Sequence, residues 1–258
     1  MTEWRPDSYL RFEKERTQPS IDLATRIEVD NPRRIIDMGC GPGNSTMVLK
    51  NRWPAAEVIG VDNSTSMLER ARENGGDVVW IHRDIDDDLS VLGKCDVCFS
   101  NAAIQWLPNQ EKTVSRLFDT LNPGGVLAVQ VPDVTDMPPH NIARSFLTSP
   151  KWKSRFRDFS STFSTYPLEY YYDILSALSG DVTIWATDYC HIMDSPDDIA
   201  EWYKSSGLRP FFDCLDSPES IEEFMHDYTE EIAKAYTPRA DGKLLLRFTR
   251  IFFLAYAR

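Results

Sequence analysis

Short β-rich runs alternate with amphipathic segments along the first half of the chain. We predict strands at residues 34–38, 58–62, 78–81, 97–100 and 126–131. Helices are predicted between them, at residues 45–53, 64–73 and 110–121. Strands that alternate with helices favour an α/β fold built on a parallel sheet with right-handed crossovers. Ligands of such sheets bind beyond the carboxyl ends of the strands.

The pattern changes after residue 132. Residues 133–180 are rich in proline, serine and aromatic residues and show little periodicity, which is typical of an insertion. We therefore predict one domain over residues 1–258. Its predicted parts are an N-terminal cap helix in 1–30, a ligand-binding core in 31–132, substrate lid segments in 133–180 and 195–245, and the final sheet strands in 182–193 and 250–258.

A glycine loop follows the first predicted strand. Asp37 begins the pattern Asp-x-Gly-x-Gly-x-Gly. Glycine lets the backbone turn sharply and approach a ligand closely, and the helix N-terminus that follows favours a negative group. The third glycine comes one residue earlier than in the G-x-G-x-x-G pattern of dinucleotide enzymes, and Asp37 would repel a diphosphate. A zwitterionic methionine group, whose ammonium needs an acceptor, fits this loop better.

Two further acidic residues follow the next two strands. Asp62 closes the second strand, where a carboxylate can accept hydrogen bonds from both hydroxyls of a ribose; the alternative is an N-cap for the helix near Ser64. Asp84 and Ile85 follow the third strand, where Asp84 can accept from an adenine amino group and Ile85 can pack on the ring. Together with the glycine loop, these positions favour S-adenosylmethionine as the ligand.

The composition limits the partners. The net charge is −12 and there is no basic tract, so we expect no nucleic-acid partner. No apolar run reaches the roughly 18 residues of a membrane span, so we expect no membrane partner. Five cysteines without framework spacing favour reduced thiols in the cytoplasm, and we predict no metal site. An anionic small molecule would need local arginines to overcome the negative field.

Residues 34–132 resemble a class I S-adenosylmethionine-dependent methyltransferase throughout. Several motifs resemble those of the subfamily that methylates trans-aconitate. Among them are Tyr9-x-x-Phe12-x-x-Glu15-Arg16-Thr17, Asn101-Ala-x-x-Gln105-Trp106, Gly207-Leu-Arg-Pro210 and Ala240-Asp-Gly-Lys-Leu-Leu-Leu-Arg247-Phe-x-Arg250. The resemblance covers nearly the whole chain outside residues 133–180. It implies a Rossmann-like, mostly parallel seven-stranded sheet with an antiparallel last strand. The cofactor-binding residues that the resemblance implies are Asp37, Gly39, Cys40, Gly41, Asn44, Asp62, Asn63, Met67, Asp84, Ile85 and Asn101.

The resemblance also implies methyl-ester formation on a small anionic polycarboxylate. A carboxylate is ionised at neutral pH and needs no general base, so catalysis would rest on proximity and in-line alignment. Gln105 and Trp106 are the candidate catalytic residues, although Trp106 could equally pack in the core. The substrate's other carboxylates favour arginine partners. The candidates are Arg16, Arg209, Arg247 and Arg250, together with His140 in the predicted lid, although each arginine could equally form a surface ion pair.

Three other functions remain open from the sequence. The nearest is methylation of another small acid or of a hydroxyl, which would need a general base such as His140 or Tyr236. The second is a non-catalytic module that binds S-adenosylmethionine. The third is a nicotinamide oxidoreductase built on a related glycine loop.

Overall fold

The computed structural model describes residues 12–204 and 206–258, so Tyr9 of the N-terminal motif lies outside the described residues. The strands are β1 (Arg34–Met38), β2 (Glu57–Asp62), β3 (Val78–His82), β4 (Cys95–Asn101), β5 (Leu121–Asp133), β6 (Val182–Met193) and β7 (Leu244–Tyr256). They form one seven-stranded sheet in the order β3-β2-β1-β4-β5-β7-β6. The first five strands pair in parallel, and β7 is antiparallel to both of its neighbours. The predicted fold is therefore confirmed.

Helices cover both faces of the sheet. In chain order they are α1 (Glu13–Thr25), α2 (Asn44–Arg52), α3 (Thr65–Glu73), α4 (Gln110–Phe118), α5 (Pro138–Ser145), α6 (Leu168–Leu178), α7 (Pro196–Lys204), α8 (Arg209–Phe212) and α9 (Pro218–Ala235). On one face, Leu23 of α1 and Leu49 of α2 pack with the apolar side chains of the strands. On the other face, α4 and α6 supply the corresponding apolar residues.

A second layer, made of α5, α7, α8 and α9, has its own apolar core. Trp152, Phe156 and Phe224 pack against one another with ring centroids 5.4–5.9 Å apart. Phe248 and other residues from the start of β7 belong to the same cluster. The aromatic residues of segment 146–163 therefore build a helical core, and they hold this layer beside the carboxyl end of β5.

Two strands begin earlier than the sequence pattern predicts. The predicted helix at 110–121 ends at Phe118, and β5 begins at Leu121 instead of 126. Residues 122–125 bulge out of the pairing, because Cys95 pairs with Leu121 whereas Val97 already pairs with Val126. β7 begins at Leu244 instead of 250, inside the segment that was predicted to be a lid.

The predicted insertion at 133–180 is divided between the two layers. Its first part joins the helical layer, but α6 packs on the sheet, where Tyr171 and Leu175 are fully buried. The Tyr171 hydroxyl donates to Oε1 of Gln110 on α4 at 2.6 Å. Tyr171 therefore belongs to the core of the sheet, although it lies within the segment predicted to be a lid. Across the described residues, no helix combines the length and apolar character that crossing a bilayer requires.

The centre of the helical layer should be sensitive to truncation. Phe224 is fully buried, so Phe224→Ala should lower the free energy of unfolding by about 3–5 kcal/mol. Tyr172 is 50% exposed, and Tyr172→Ala should change it by about 0.5 kcal/mol. Denaturant unfolding of both variants measures the difference. Equal losses would show that the aromatic cluster does not stabilise this layer.

Candidate active site

The three glycines of the loop after β1 are required for different reasons. All have positive φ, +74° at Gly39, +54° at Gly41 and +92° at Gly43. A Cβ on Gly39 would lie 2.2 Å from Cβ of Ala103, and one on Gly43 would lie 2.8 Å from the Trp80 ring. At Gly41 a Cβ would meet no atom of the described residues within 4 Å. Gly39 and Gly43 therefore allow close packing, whereas Gly41 leaves its backbone open to a ligand.

The end of β2 holds this loop in place. The N–H groups of Gly39 and Cys40 donate to the Val61 carbonyl oxygen at 2.8 and 3.0 Å. The Gly41 N–H donates to Oδ2 of Asp62 at 2.8 Å. The Cys40 side chain is buried, and burial raises the pKa of its thiol, so Cys40 fills space beneath the loop as an uncharged group.

Asp37 is a buried carboxylate with one oxygen available. Its Oδ2 accepts hydrogen bonds from the Ser45 and Thr46 hydroxyls, both at 2.6 Å. Its Oδ1 is buried and has no hydrogen-bond partner among the described residues. Burial raises the pKa of Asp37 to about 6, although the two hydroxyls lower it. At neutral pH, Asp37 is therefore mostly ionised and can still accept a hydrogen bond from a cation.

Two more buried acceptors lie at the end of β4, the strand beside β1, and in the loop that follows it. Nε2 of Gln105 donates to the Ala102 carbonyl oxygen at 2.6 Å, which fixes the orientation of the amide. Oε1 of Gln105 and Oδ1 of Asn101 are buried and, within residues 12–204 and 206–258, accept no hydrogen bond. Unpaired buried acceptors cost free energy. With Asp37 they fit a ligand that brings N–H donors and positive charge.

Asp62 does not cap the helix that follows it. The N-cap of α3 is Ser64, whose hydroxyl accepts from the Met67 N–H. Asp62 instead accepts the Ser64 N–H through Oδ1 at 2.8 Å and the Gly41 N–H through Oδ2. Burial raises the pKa of Asp62, and these two N–H groups oppose the increase. The predicted ribose acceptor therefore lies directly beside the glycine loop.

The other predicted cofactor residues surround these two carboxylates. Nδ2 of Asn63 donates to Oδ2 of Asp84 at 2.7 Å, which joins the loops after β2 and β3. The side chain of Ile85 lies close to Gly39, and Met67 is buried on α3. Nδ2 of Asn44 donates at 2.9 Å to Glu13 of α1. These residues meet at one edge of the sheet, as predicted, and their individual roles stay predictions.

Two of the four predicted arginines come together. Arg250 is 4% exposed, and its Nη1 donates to Oε1 of Gln130 at 3.1 Å. Nη2 of Arg16 donates to the Trp202 carbonyl oxygen at 3.2 Å, and its guanidinium lies 4.9 Å from the centre of the Trp202 ring. Burial lowers the pKa of His191 to about 4, and the positive charges of Arg250 and Arg16 add to this effect. A cationic region therefore lies beside an uncharged histidine.

Arg247 is separated from this region. Successive residues of a strand point to opposite faces, so Arg247 and Arg250 lie on opposite faces of β7. The Arg247 side chain is 77% exposed, and its Nε lies 3.7 Å from Oδ2 of Asp188. The structure therefore does not bring Arg247 together with Arg16 and Arg250, and a surface ion pair is its observed arrangement, while its role in substrate binding stays a prediction. Arg209 begins α8 and is half-buried, and burial lowers the pKa of its guanidinium.

Three aromatic rings pack together beyond the end of β4, with edge-to-face or tilted contacts. The Phe163 ring lies 4.8 Å from that of Trp106 and 5.8 Å from that of His140, measured between centroids. Burial lowers the pKa of His140 to about 4, and the positive charge of Arg144 adds to this effect. The Ser164 N–H donates to the Gln105 carbonyl oxygen at 2.9 Å. Segment 163–164 thus attaches the helical layer to the loop that carries both candidate catalytic residues.

Gln130 is a buried polar residue at this edge of the sheet to which the sequence analysis assigns no role. It is fully buried on β5, pairs in register with Asn101, and contacts Arg250 through its carbonyl oxygen. The available signal was a single polar residue in the apolar run from Val126 to Val131. A buried glutamine needs partners for both ends of its amide.

The strand order, with β7 antiparallel between β5 and β6, and the glycine loop beneath a buried acid define a class I methyltransferase. Residues 35–125 match a family model described as a methyltransferase domain. The chain is 45% identical to trans-aconitate 2-methyltransferase of Rhodopseudomonas palustris (strain BisA53), over 99% of both proteins. It is 43% identical to the protein of that name from Afipia carboxidovorans, over 98% of this chain and 99% of the relative. The chain therefore belongs to the trans-aconitate 2-methyltransferase family.

A solved structure of low sequence identity shares the fold. Phosphoethanolamine N-methyltransferase 2 of Haemonchus contortus, in complex with S-adenosylhomocysteine, aligns with a TM-score of 0.55 at 18% identity. The alignment covers 93% of this chain and 53% of that protein. The similarity supports the methyltransferase fold alone.

Cofactor affinity should depend on the ionisation of Asp37. Its pKa is raised to about 6 in the folded protein, and a cationic ligand favours the ionised form, so affinity for S-adenosylhomocysteine should fall as the pH drops from 7 to 5. Without ligand, the same group stabilises the fold most below pH ~4 and loses that contribution as the pH rises through about 6. Titration calorimetry from pH 5 to 8 measures the first effect, and Asp37→Asn should flatten it. A pH-independent Kd in the unmodified protein would contradict the prediction.

The two arginines of β7 should differ in their effect on the acidic substrate. Arg250→Met removes a buried cation and should raise KM for trans-aconitate more than about tenfold. Arg247→Met removes an exposed cation on the other face and should change KM less than about twofold. Steady-state kinetics at saturating cofactor measures both values. A large effect of Arg247→Met alone would reverse the assignment.

Proposed function

We propose that this chain is a carboxyl O-methyltransferase that uses S-adenosylmethionine to form a monomethyl ester of trans-aconitate or a similar small polycarboxylate. The observation that carries the proposal is that hydrogen-bond acceptors and positive charges lie on different strands along one edge of the sheet. Buried acceptors lie at the ends of β1 and β4. The buried cation Arg250 lies on β7 over the Phe248 ring, which is 6.1 Å from the Trp202 ring against which Arg16 packs. The names of the full-length relatives support the same substrate.

The residues present fit S-adenosylmethionine. Asp37 and Asn101 offer buried oxygens to its ammonium, Gly41 allows close approach, and Asp62 lies where its ribose would be held. Ile85 supplies an apolar surface beside the loop for the adenine ring. When bound, this cofactor supplies a methyl group that a nucleophile can attack.

The side chains of this site hold and orient the substrate rather than remove a proton from it. A substrate carboxylate is already ionised at neutral pH, so its oxygen is a nucleophile without a general base. Burial raises the pKa of Tyr236, which therefore stays protonated. Burial lowers the pKa of His140 to about 4, which makes it a weak base. These two residues suit a carboxylate substrate better than a hydroxyl substrate.

The rings of Trp106, Phe163 and His140 form one wall of this site. They lie beside Gln105, whose amide is fixed by the Ala102 carbonyl oxygen. In our proposal this wall excludes water, which strengthens the electrostatic contacts inside the site, and holds the reacting carboxylate in line. The proposed location is the cytoplasm, which five free cysteines support.

Direct assay of methyl transfer tests the proposal. Purified protein with isotopically labelled S-adenosylmethionine and trans-aconitate should give a labelled monomethyl ester, identified by mass spectrometry. At saturating cofactor, kcat should be flat from about pH 7 to 9, because the substrate carboxylate does not titrate there. A tenfold rise per pH unit would indicate a hydroxyl nucleophile instead. Cofactor binding without transfer to any small acid or hydroxyl would leave only a non-catalytic module.

A further inference from the structure

A buried donor faces the site from β5. Gln130 is fully buried, and its Oε1 accepts from Nη1 of Arg250 at 3.1 Å. Arginine can only donate hydrogen bonds, so the amide oxygen must face Arg250 and the amide nitrogen must point away from it. Nε2 of Gln130 has no partner in the described part of the chain. A buried N–H group left in this state needs an acceptor.

A second buried donor lies in the same region. The Tyr236 hydroxyl, just after α9, is buried and likewise lacks a partner among residues 12–204 and 206–258. Tyr236 packs against the apolar cluster of the helical layer that contains Phe248, and the guanidinium of Arg250 lies 4.4 Å from the centre of the Phe248 ring. Burial keeps the Tyr236 hydroxyl protonated. Amide, hydroxyl and guanidinium groups thus all offer hydrogen bonds in this region, and an anion is the complementary ligand.

The position of Gln130 relative to the proposed site of methyl transfer indicates which anion it would bind. Gln130 pairs in register with Asn101, the last residue of β4. Neighbouring strands are about 4.8 Å apart. A small acid whose reacting carboxylate lies beyond β4 can therefore extend a second carboxylate toward Gln130.

We propose that Gln130 and Tyr236, together with Arg250, form a subsite for a second, non-reacting carboxylate of the substrate. This proposal rests on the proposed carboxyl methylation and deepens it. It makes Gln130 a specificity-determining residue, because a substrate without a second carboxylate leaves Nε2 of Gln130 unpaired. Discrimination of this kind is strong where a site is built to hydrogen-bond a group that the competing substrate lacks.

Two variants of Gln130 test the subsite. Gln130→Glu keeps an oxygen for Arg250 but replaces the amide nitrogen by a carboxylate oxygen, which repels the substrate. Gln130→Met removes both polar ends without adding charge. We expect KM for trans-aconitate to rise about 10- to 100-fold in Gln130→Glu and less in Gln130→Met, with the Kd for S-adenosylhomocysteine changed less than about threefold. If Gln130 only supported Arg250, Gln130→Glu would be the milder variant, and that order would overturn the proposal.

A matched control separates the subsite from general burial of a carboxylate. Gln110 is 1% exposed, but both ends of its amide are satisfied, by the Ser164 carbonyl oxygen at 2.8 Å and the Tyr171 hydroxyl at 2.6 Å. Gln110→Glu should lower Tm and leave KM for trans-aconitate within about twofold. A KM increase equal to that of Gln130→Glu would overturn the proposal.

Tyr236→Phe tests the second donor independently of Gln130. It removes a hydroxyl that has no partner in the described fold, so Tm should not fall. KM for trans-aconitate should rise about tenfold, and an unchanged KM would exclude Tyr236 from the subsite. If the unmodified protein esterifies no polycarboxylate, the proposed function fails. If it does so and all three variants keep its KM, only the subsite fails.

Discussion

The arrangement of this site depends on the cost of burying a polar atom without a hydrogen bond. The sheet edge leaves acceptor oxygens buried on Asp37 and Asn101, and a donor nitrogen buried on Gln130, with no partner among the described residues. These atoms lie on β1, β4 and β5, which are consecutive in the sheet. A cationic cofactor group can donate hydrogen bonds to the acceptor oxygens, and an anionic substrate group can accept one from the donor nitrogen. The order of the strands therefore orients the cofactor and the acid relative to each other.

Helix α1 contacts both the glycine-loop region and the helical layer. Its first turn holds the glycine loop through Glu13 and Asn44, and Arg16 lies against Trp202 of the helical layer. The same helix packs Leu23 into the sheet core. One helix therefore contacts both the loop that is predicted to bind the cofactor and the helical layer.

The sequence predicted that the acidic residues proposed to bind the cofactor meet at one edge of the sheet, because their placement depends on local strand ends. Asp37, Asp62 and Asp84 each end or follow a strand, and parallel strands bring such residues to one edge. The substrate side was harder because it depends on where β7 begins. With a strand starting at 250, Arg247 could be grouped with Arg250, whereas a strand starting at Leu244 places them on opposite faces. Helix α6 was missed because its aromatic residues gave no clear period, although Tyr171 packs in the sheet core.

The antiparallel pair β6 and β7 continues beyond the end of β5, whose last residue Asp133 pairs with Thr249. From Leu244 to Phe248, β7 pairs only with β6, and this two-stranded ribbon carries part of the core of the helical layer. Two-stranded ribbons twist more than wide sheets do, but their length is fixed by the backbone. The twist of these two strands, rather than that of the wide sheet, therefore sets the orientation of the helical layer against the edge of β5.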